Sequence, residues 1–406
     1  DNEDKATTEK HPRKESTNTN PTKDMPTSEI KAMSGRKFTG EEVKTFGDAI
    51  KEKEEGMLRI SGFNNNSISL DEIQATCQDS IDLQIDVQCF QEVCRDMSKS
   101  SILQQFLKDT KKSDPTSKSV WGSSTVNVGG DYKPGGTAIV AFGKTARRVI
   151  KQGTDDLGRW TWMALEGADN TAILVMSIYQ SCRNPTNPQG RTAHHQQEVL
   201  LSERNRTDTD PRQNFYRDMC KFLQKFKKDT EQKVRPLLIG DWNEECMGRS
   251  NSKKLCDKFG LVNIFHGKHL HHKKFKTYQE GSRFIDYGLI HRDLLNEIEI
   301  VTYEPFGYRQ GKGDHRGWYF DIRERRMFGN QIEKVYQSEG RNLHSKDSKQ
   351  LPVYLRAVDN ELTKRKVYKR VVKLMKSKKK RRENHNEAEA IDKDITEALI
   401  RMKSKE

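Results

Sequence analysis

Leu237-Leu238-Ile239-Gly240-Asp241-Trp242-Asn243-Glu244 is the stretch on which the reading of the fold turns. Three apolar residues make a short buried strand, and Gly240 lets the backbone turn out of it. Asp241 and Asn243 lie two residues apart, so at the strand's end they project on one side. A carboxylate beside a carboxamide at a strand mouth suits metal-assisted attack of water on a phosphate. The acid holds or deprotonates the water, and the amide donates to a phosphoryl oxygen without adding charge. A strand followed by an Asp/Asn turn accounts for the octapeptide alone equally well.

Further segments, in a consistent order, tip the balance. Leu58-Arg59-Ile60-Ser61-Gly62-Phe63-Asn64 alternates and ends in an asparagine, and Ile85–Glu92 closes on Gln91-Glu92. Ala172–Tyr179 ends in a phenol, Phe284-Ile285-Asp286-Tyr287 holds an acid, and Gly313-Asp314-His315-Arg316 follows. Each polar residue sits where an apolar run stops, so all are expected on one rim of a β-sandwich. Strands are expected at 81–90, 136–142, 160–165, 171–179, 237–240 and 284–290. Amphipathic helices are expected at 98–109 and 214–228, the latter with Phe215, Met219, Phe222 and Phe226 at helical spacing.

Taken as a set, these segments resemble the endonuclease/exonuclease/phosphatase superfamily over roughly residues 57–322. That family's pattern falls here on Asn64, Gln91-Glu92, Tyr179, Gly240-Asp241-Trp242-Asn243, Asp286 and Asp314-His315. The resemblance implies an α/β fold, a four-layer αββα sandwich of the DNase I-like kind. It also implies phosphodiester hydrolysis with Mg²⁺ or Mn²⁺. Glu92 would be the principal metal ligand, with Asn64 and Asp314 beside it. Asp241 would orient or deprotonate water, and Asn243 and Tyr179 would donate to phosphoryl oxygens. Asp286 would fix the tautomer of His315, whose other nitrogen faces the phosphate.

Apurinic endonucleases commonly carry an acid two residues after the first Asn, where this chain has Asn66. A second resemblance, to retrotransposon polyproteins, lies in Gly190-Arg191-Thr192-Ala193 with Gln196-Gln197, in Asp210-Pro211-Arg212, and in Ala388–Thr396. It implies a nuclease that nicks DNA and leaves a 3′-hydroxyl primer for a reverse transcriptase. No Tyr-Xaa-Asp-Asp run occurs and the chain starts at Asp1, so a larger reading frame with a downstream polymerase is expected. A repair endonuclease, an inositol-lipid or small-ester phosphatase, and a nucleic-acid-binding module with a decayed site are the competing readings.

Composition supports one core with polar flanks. Hydrophobic and charged residues each make up 33% of 406, too polar for packing throughout. Residues 1–56 are expected to be a disordered leader and 323–406 a basic helical tail. Apolar stripes of the tail run through Leu355, Val358 and Leu362 and through Ile391, Ile395, Ala398, Leu399 and Met402. No apolar run approaches the roughly 20 residues needed to span a bilayer. Seven scattered cysteines without a Cys-x-x-Cys pair suggest reduced thiols and a nuclear or cytoplasmic setting. The histidines His194, His195, His266, His269, His271 and His272 are expected in solvated loops.

The formal charge of +14 is uneven: −2 in residues 1–56 and +11 in residues 323–406. Between Lys364 and Arg382 no acid occurs. Lys364, Arg365, Lys366, Lys369, Arg370, Lys373, Lys378, Lys379, Lys380, Arg381 and Arg382 are therefore candidate contacts to a polyanion. DNA is the expected partner, with the element's own RNA a second one, and Lys378–Arg382 suits nuclear import.

Overall fold

The computed structural model describes residues 40–182, 192–204, 210–271, 275–309, 313–329, 350–377 and 381–403. Strands β1 (Phe46–Gly47) and β2 (Met57–Asn64) lead into helix α1 (Ile73–Asp82), β3 (Val87–Gln91), α2 (Ser100–Ser113), β4 (Lys118–Gly122) and β5 (Thr137–Ala141). There follow α3 (Gly143–Ala146), β6 (Val149–Thr154), β7 (Trp160–Glu166), β8 (Thr171–Tyr179), α4 (Ala193–Glu203), α5 (Pro211–Asp229) and β9 (Lys233–Asp241). Then come α6 (Asn251–Phe259), β10 (Leu261–Asn263), α7 (Ile264–Lys268), β11 (Asp286–His291), β12 (Ile298–Tyr303), β13 (Trp318–Arg323) and α8 (Glu324–Phe328). The tail holds α9 (Gln350–Lys364), α10 (Val367–Met375) and α11 (Arg381–Lys403).

The strands form two mixed sheets, ordered β1-β12-β13-β2-β3-β5-β4 and β10-β11-β9-β8-β7-β6. Pairs β2/β3 and β8/β9 are parallel; their neighbours run antiparallel. Strand β8 is buried along its whole length, as a central strand covered on both faces must be. The sheets pack face to face. Gln91 Nε2 of the first donates to Ser177 Oγ of the second at 2.9 Å, and Ser177 Oγ donates to the Phe90 carbonyl at 2.8 Å. Helices cover the outer faces. Phe106 of α2 meets Trp121 edge-on, and Phe215 of α5 meets Trp160 edge-on. Helix, sheet, sheet and helix make the four expected layers.

The core is wider than 57–322. Strand β1 pairs with β12, and Phe46 stacks on Phe275 with ring centroids 4.1 Å apart. Residues 40–56 therefore belong to the folded body, and of the expected leader the residues before Gly40 lie outside the described residues. At the other end Met327 and Phe328 are buried, with the Arg148 guanidinium over the Phe328 ring. The expected strand at 81–90 is also corrected. Ile81 and Asp82 finish α1, Gln84 turns the chain at φ 55°, and β3 starts at Val87. His266 and His269 are not loop residues; both rings pack against Phe265. His272 lies outside the described residues. No helix among the described residues is long and apolar enough to cross a membrane.

Candidate active site

Register brings the polar strand ends together. Asp241, last in β9, stands opposite Tyr179 on β8 and opposite Asp286 on β11. Asn64 ends β2, beside Gln91 at the end of β3. Asn64 Nδ2 crosses between the sheets to Asp241 Oδ2 at 3.1 Å and lies 3.4 Å from His315 Nε2. His315 Nδ1 is 2.9 Å from Asp286 Oδ2, and Asp314 Oδ1 is 3.9 Å from His315 Nε2. Tyr179 is hydrogen-bonded to Glu92. The eight residues expected at the site thus converge on one rim.

Their amide groups are oriented differently from the expectation. Asn64 turns its NH₂ toward Asp241, while its Oδ1 accepts from the Asn66 backbone N–H at 3.0 Å. It offers the carboxylates an N–H and not the expected oxygen for a metal. Asn243 Nδ2 donates to the Gln180 carbonyl at 2.7 Å and to Asp241 Oδ2 at 3.3 Å, so both amide hydrogens are engaged within the protein. Asn243 is a positioning residue for Asp241 here, because its backbone N–H also donates to Asp241 Oδ1 at 2.9 Å. Glu92 and Asn243 hold left-handed φ angles of 51° and 48°. For non-glycine residues that conformation costs energy the surrounding packing must supply, and such outliers gather at functional sites.

The electrostatics follow from burial and crowding. Burial, with repulsion from Asp286 next, pushes the Asp241 carboxyl well above its ordinary range. Glu92 and Asp314 are also raised by burial; the Tyr179 hydrogen bond tempers Glu92 and the His315 charge tempers Asp314. For His315, burial opposes protonation, but Asp286 and Asp241 outweigh it and raise the imidazole to about 10. Burial and the neighbouring Glu92 hold Tyr179 far above the usual phenol range. Four carboxyl groups thus surround one imidazole, an excess of acidic groups over counter-charges in a largely buried rim.

That excess is what a hard divalent cation answers, and the donors are oxygens, as Mg²⁺ or Mn²⁺ prefers. Asp241, Asp286 and His315 place one donor atom each within 4.8 Å of one another. The Asp286–His315 hydrogen bond closes that triad from within. Glu92 and Asp314, both partly exposed, are the more open carboxylates.

Three supporting residues carry no role in the sequence reading. Tyr278 lies against the His315 ring at 4.9 Å between centroids. Thr277 Oγ1 accepts from the backbone N–H groups of Ile285 and Asp286 at 3.0 and 3.1 Å, fixing the start of β11. Arg212 reaches from α5 to the carbonyls of Ser181 and Asn243 at 2.7 and 3.2 Å. Asp210 caps that helix, so the Asp210-Pro211-Arg212 segment has a local structural reason beside its resemblance. Gly190 and Arg191 lie outside the described residues, while Thr192 caps α4.

The basic tail is only partly free. Arg365 pairs with Asp394 at 2.9 Å, Glu397 at 2.8 Å and Glu361 at 3.1 Å. Arg370 pairs with Glu387 at 2.7 Å and with Asp394. These two hold α9, α10 and α11 together, which corrects their reading as phosphate contacts. Lys364, Lys366, Lys369 and Lys373 are exposed. Lys378, Lys379 and Lys380 lie outside the described residues, and Arg381 and Arg382 open α11.

No family model and no curated protein matches the chain. Solved structures similar to it include apurinic (AP) endonucleases and other members of the endonuclease/exonuclease/phosphatase family. The AP endonuclease LMAP from Leishmania major is 14% identical at a TM-score of 0.47, covering 66% of this chain and 88% of that one. The 3′ phosphatase NExo from Neisseria, bound to a product DNA hairpin, is 14% identical at 0.42, covering 65% and 99%. The endonuclease domain of TRAS1, a telomere-specific non-LTR retrotransposon, is 15% identical at 0.38, covering 66% and 98%. At such identities the chemistry has to be read from the chain's own residues.

Proposed function

We propose that the chain hydrolyses phosphodiesters with a divalent cation and, more narrowly, that it is the DNA-nicking endonuclease of a retroelement. One observation carries the chemistry. Asp241, hydrogen-bonded by Asn64 from the opposite sheet, lies beside a His315–Asp286 pair in a rim with more carboxyl groups than counter-charges. Glu92 and Asp314 would hold the cation, Mg²⁺ or Mn²⁺. When bound, it supplies charge neutralisation and Lewis acidity.

The remaining work falls to side chains. His315, kept protonated by Asp286, presents a cationic N–H to a phosphoryl oxygen, where charge builds in the transition state. Asp241, whose proton affinity is raised, accepts the proton of the attacking water. Tyr179 keeps its own proton and holds Glu92 in place.

The retroelement reading is supported by the sequence segments around Gln196-Gln197 and Asp210–Arg212 and by Asn66 in place of an acid. It takes DNA as substrate, the element's RNA as a second partner and a reverse transcriptase domain downstream; Lys378–Arg382 supports entry to the nucleus. The test is relaxation of supercoiled plasmid with Mg²⁺ or Mn²⁺, with the product ends identified. Nicks bearing 3′-hydroxyls that vanish with EDTA support the reading. Preference for abasic duplex favours a repair enzyme, and release of phosphate from inositol lipids without nicking overturns the endonuclease.

A further inference from the structure

A second basic feature lies away from the rim. A cavity of about 650 Å³ opens between the C-terminal half of α2 and the strands β4 and β6 that end the two sheets. Lys108 and Lys111 of α2, Lys118 of β4 and Lys151 of β6 line it, and no carboxylate does. Gln152 Nε2 donates to the Ser119 carbonyl at 3.3 Å and ties the two strands at its floor. Asp109, the nearest acid on α2, is taken by Lys112 at 2.6 Å. Lys108, Lys111 and Lys151 make no ion pair among the described residues. The Ser117 hydroxyl in the lining, on a residue only 3% exposed, has no hydrogen-bond partner. Concentrated positive charge with an unspent buried hydroxyl is the chemistry of an anion site.

The cavity is far from the catalytic rim. Val149 at its edge pairs with Leu165, which pairs with Ile173 of β8. Tyr179 is six residues further along that strand, about 20 Å at the rise of a β-strand. Helix α11 packs on α2, the helix that also lines the cavity, and the α9–α11 unit carries the exposed Lys366, Lys369, Lys373 and Lys376.

We infer that this cavity takes the phosphates of a nucleic-acid strand other than the one in the cleft, making the molecule bivalent for nucleic acid. The inference rests on the reading above that the chain acts on DNA, and it adds a second binding surface to it. Four lysines and no carboxylate line the concavity, Lys118 anchored to the Val149 carbonyl at 3.3 Å, which suits a polyanion, and the concave shape does not match a flat bilayer. No chemistry is assigned to the site; it positions the polymer.

The test uses the full chain in EDTA, so that no cleavage occurs, and follows the salt dependence of binding to fluorescent single-stranded and duplex DNA. The variant Lys108→Ala/Lys111→Ala/Lys151→Ala should make the log–log salt slope shallower by roughly 2 to 3, with an unchanged melting temperature. With metal restored, its nicking rate at saturating plasmid should equal that of the wild type. Should the triple variant melt early, Lys151→Gln alone replaces it, with a slope change of just under 1. An unchanged slope in a folded variant overturns the second site. So does selective loss of binding to anionic phospholipid vesicles with DNA binding intact. Because binding is read without metal, a changed slope in a protein that never nicks DNA would remove the catalytic reading and leave this one standing.

Discussion

Asp241, Asp286 and His315 show what can be read residue by residue. Asp241 ends β9, Asp286 opens the antiparallel β11 and His315 lies just before β13, so all three fall at one end of their sheets, and the structure brings them together. What their side chains do was less legible. Asn243 is fully engaged by Gln180 and Asp241, and Arg212 reaches it from another helix. The bonds to Gln180 and from Arg212 join residues far apart in sequence, and no spacing rule reports them. The His315 environment yields a prediction in the absence of metal. Its folded-state affinity for a proton is raised from the ordinary 6.5 to about 10. The stabilisation from that pair is complete below about pH 6.5 and is lost as pH rises through about 10. In EDTA, thermal melting should fall between pH 7 and pH 10, and His315→Gln should flatten that fall. A variant with the same pH dependence as wild type would remove the charged pair from the account.

Among the elements, central strands were legible and edges were not. Strand β8, apolar but for Thr171 and Ser177, has the bounds its sequence implies. Edge strand β6 carries Lys151, Gln152 and Gly153, is largely exposed, and gives no periodic signal. The end of helix α1 falls in a run, Ile81, Leu83, Ile85 and Val87, that alternates as a strand does, so in sequence it reads as the start of β3. Gly240 illustrates a right residue with a different reason. It does not turn the chain out of the strand but lies inside β9, where a Cβ would come within 1.9 Å of the Ile178 carbonyl oxygen. Gly240→Ala should therefore destabilise the fold by about 1–3 kcal/mol through forced displacement of β8, lowering both melting temperature and activity. Because the shift carries Tyr179 and Asp241 with it, activity should stay reduced even at temperatures where the variant is folded. Wild-type melting would show that the sheet yields at no cost.

For the whole molecule, the four-layer sandwich followed from the ordered motifs, while the boundaries and the tail did not. Burial of Met327 and Phe328 means that a useful truncation falls after Gly329 and not at residue 322. Removing residues 330–406 should make the salt dependence of duplex binding shallower by roughly 3 to 4, for the exposed lysines of the tail. Nicking at saturating DNA should change little. An unchanged slope with a melting point lowered by several degrees would make the tail structural, as its packing on α2 allows. In the proposed function one buried rim performs the hydrolysis. The most direct measurement is the single-turnover nicking rate of wild type, Asp241→Ala and His315→Ala, purified in parallel and assayed with Mg²⁺ or Mn²⁺. Rates lower by roughly two to four orders of magnitude in both variants, at unchanged DNA affinity, are the predicted result. Equal rates in all three preparations would contradict it.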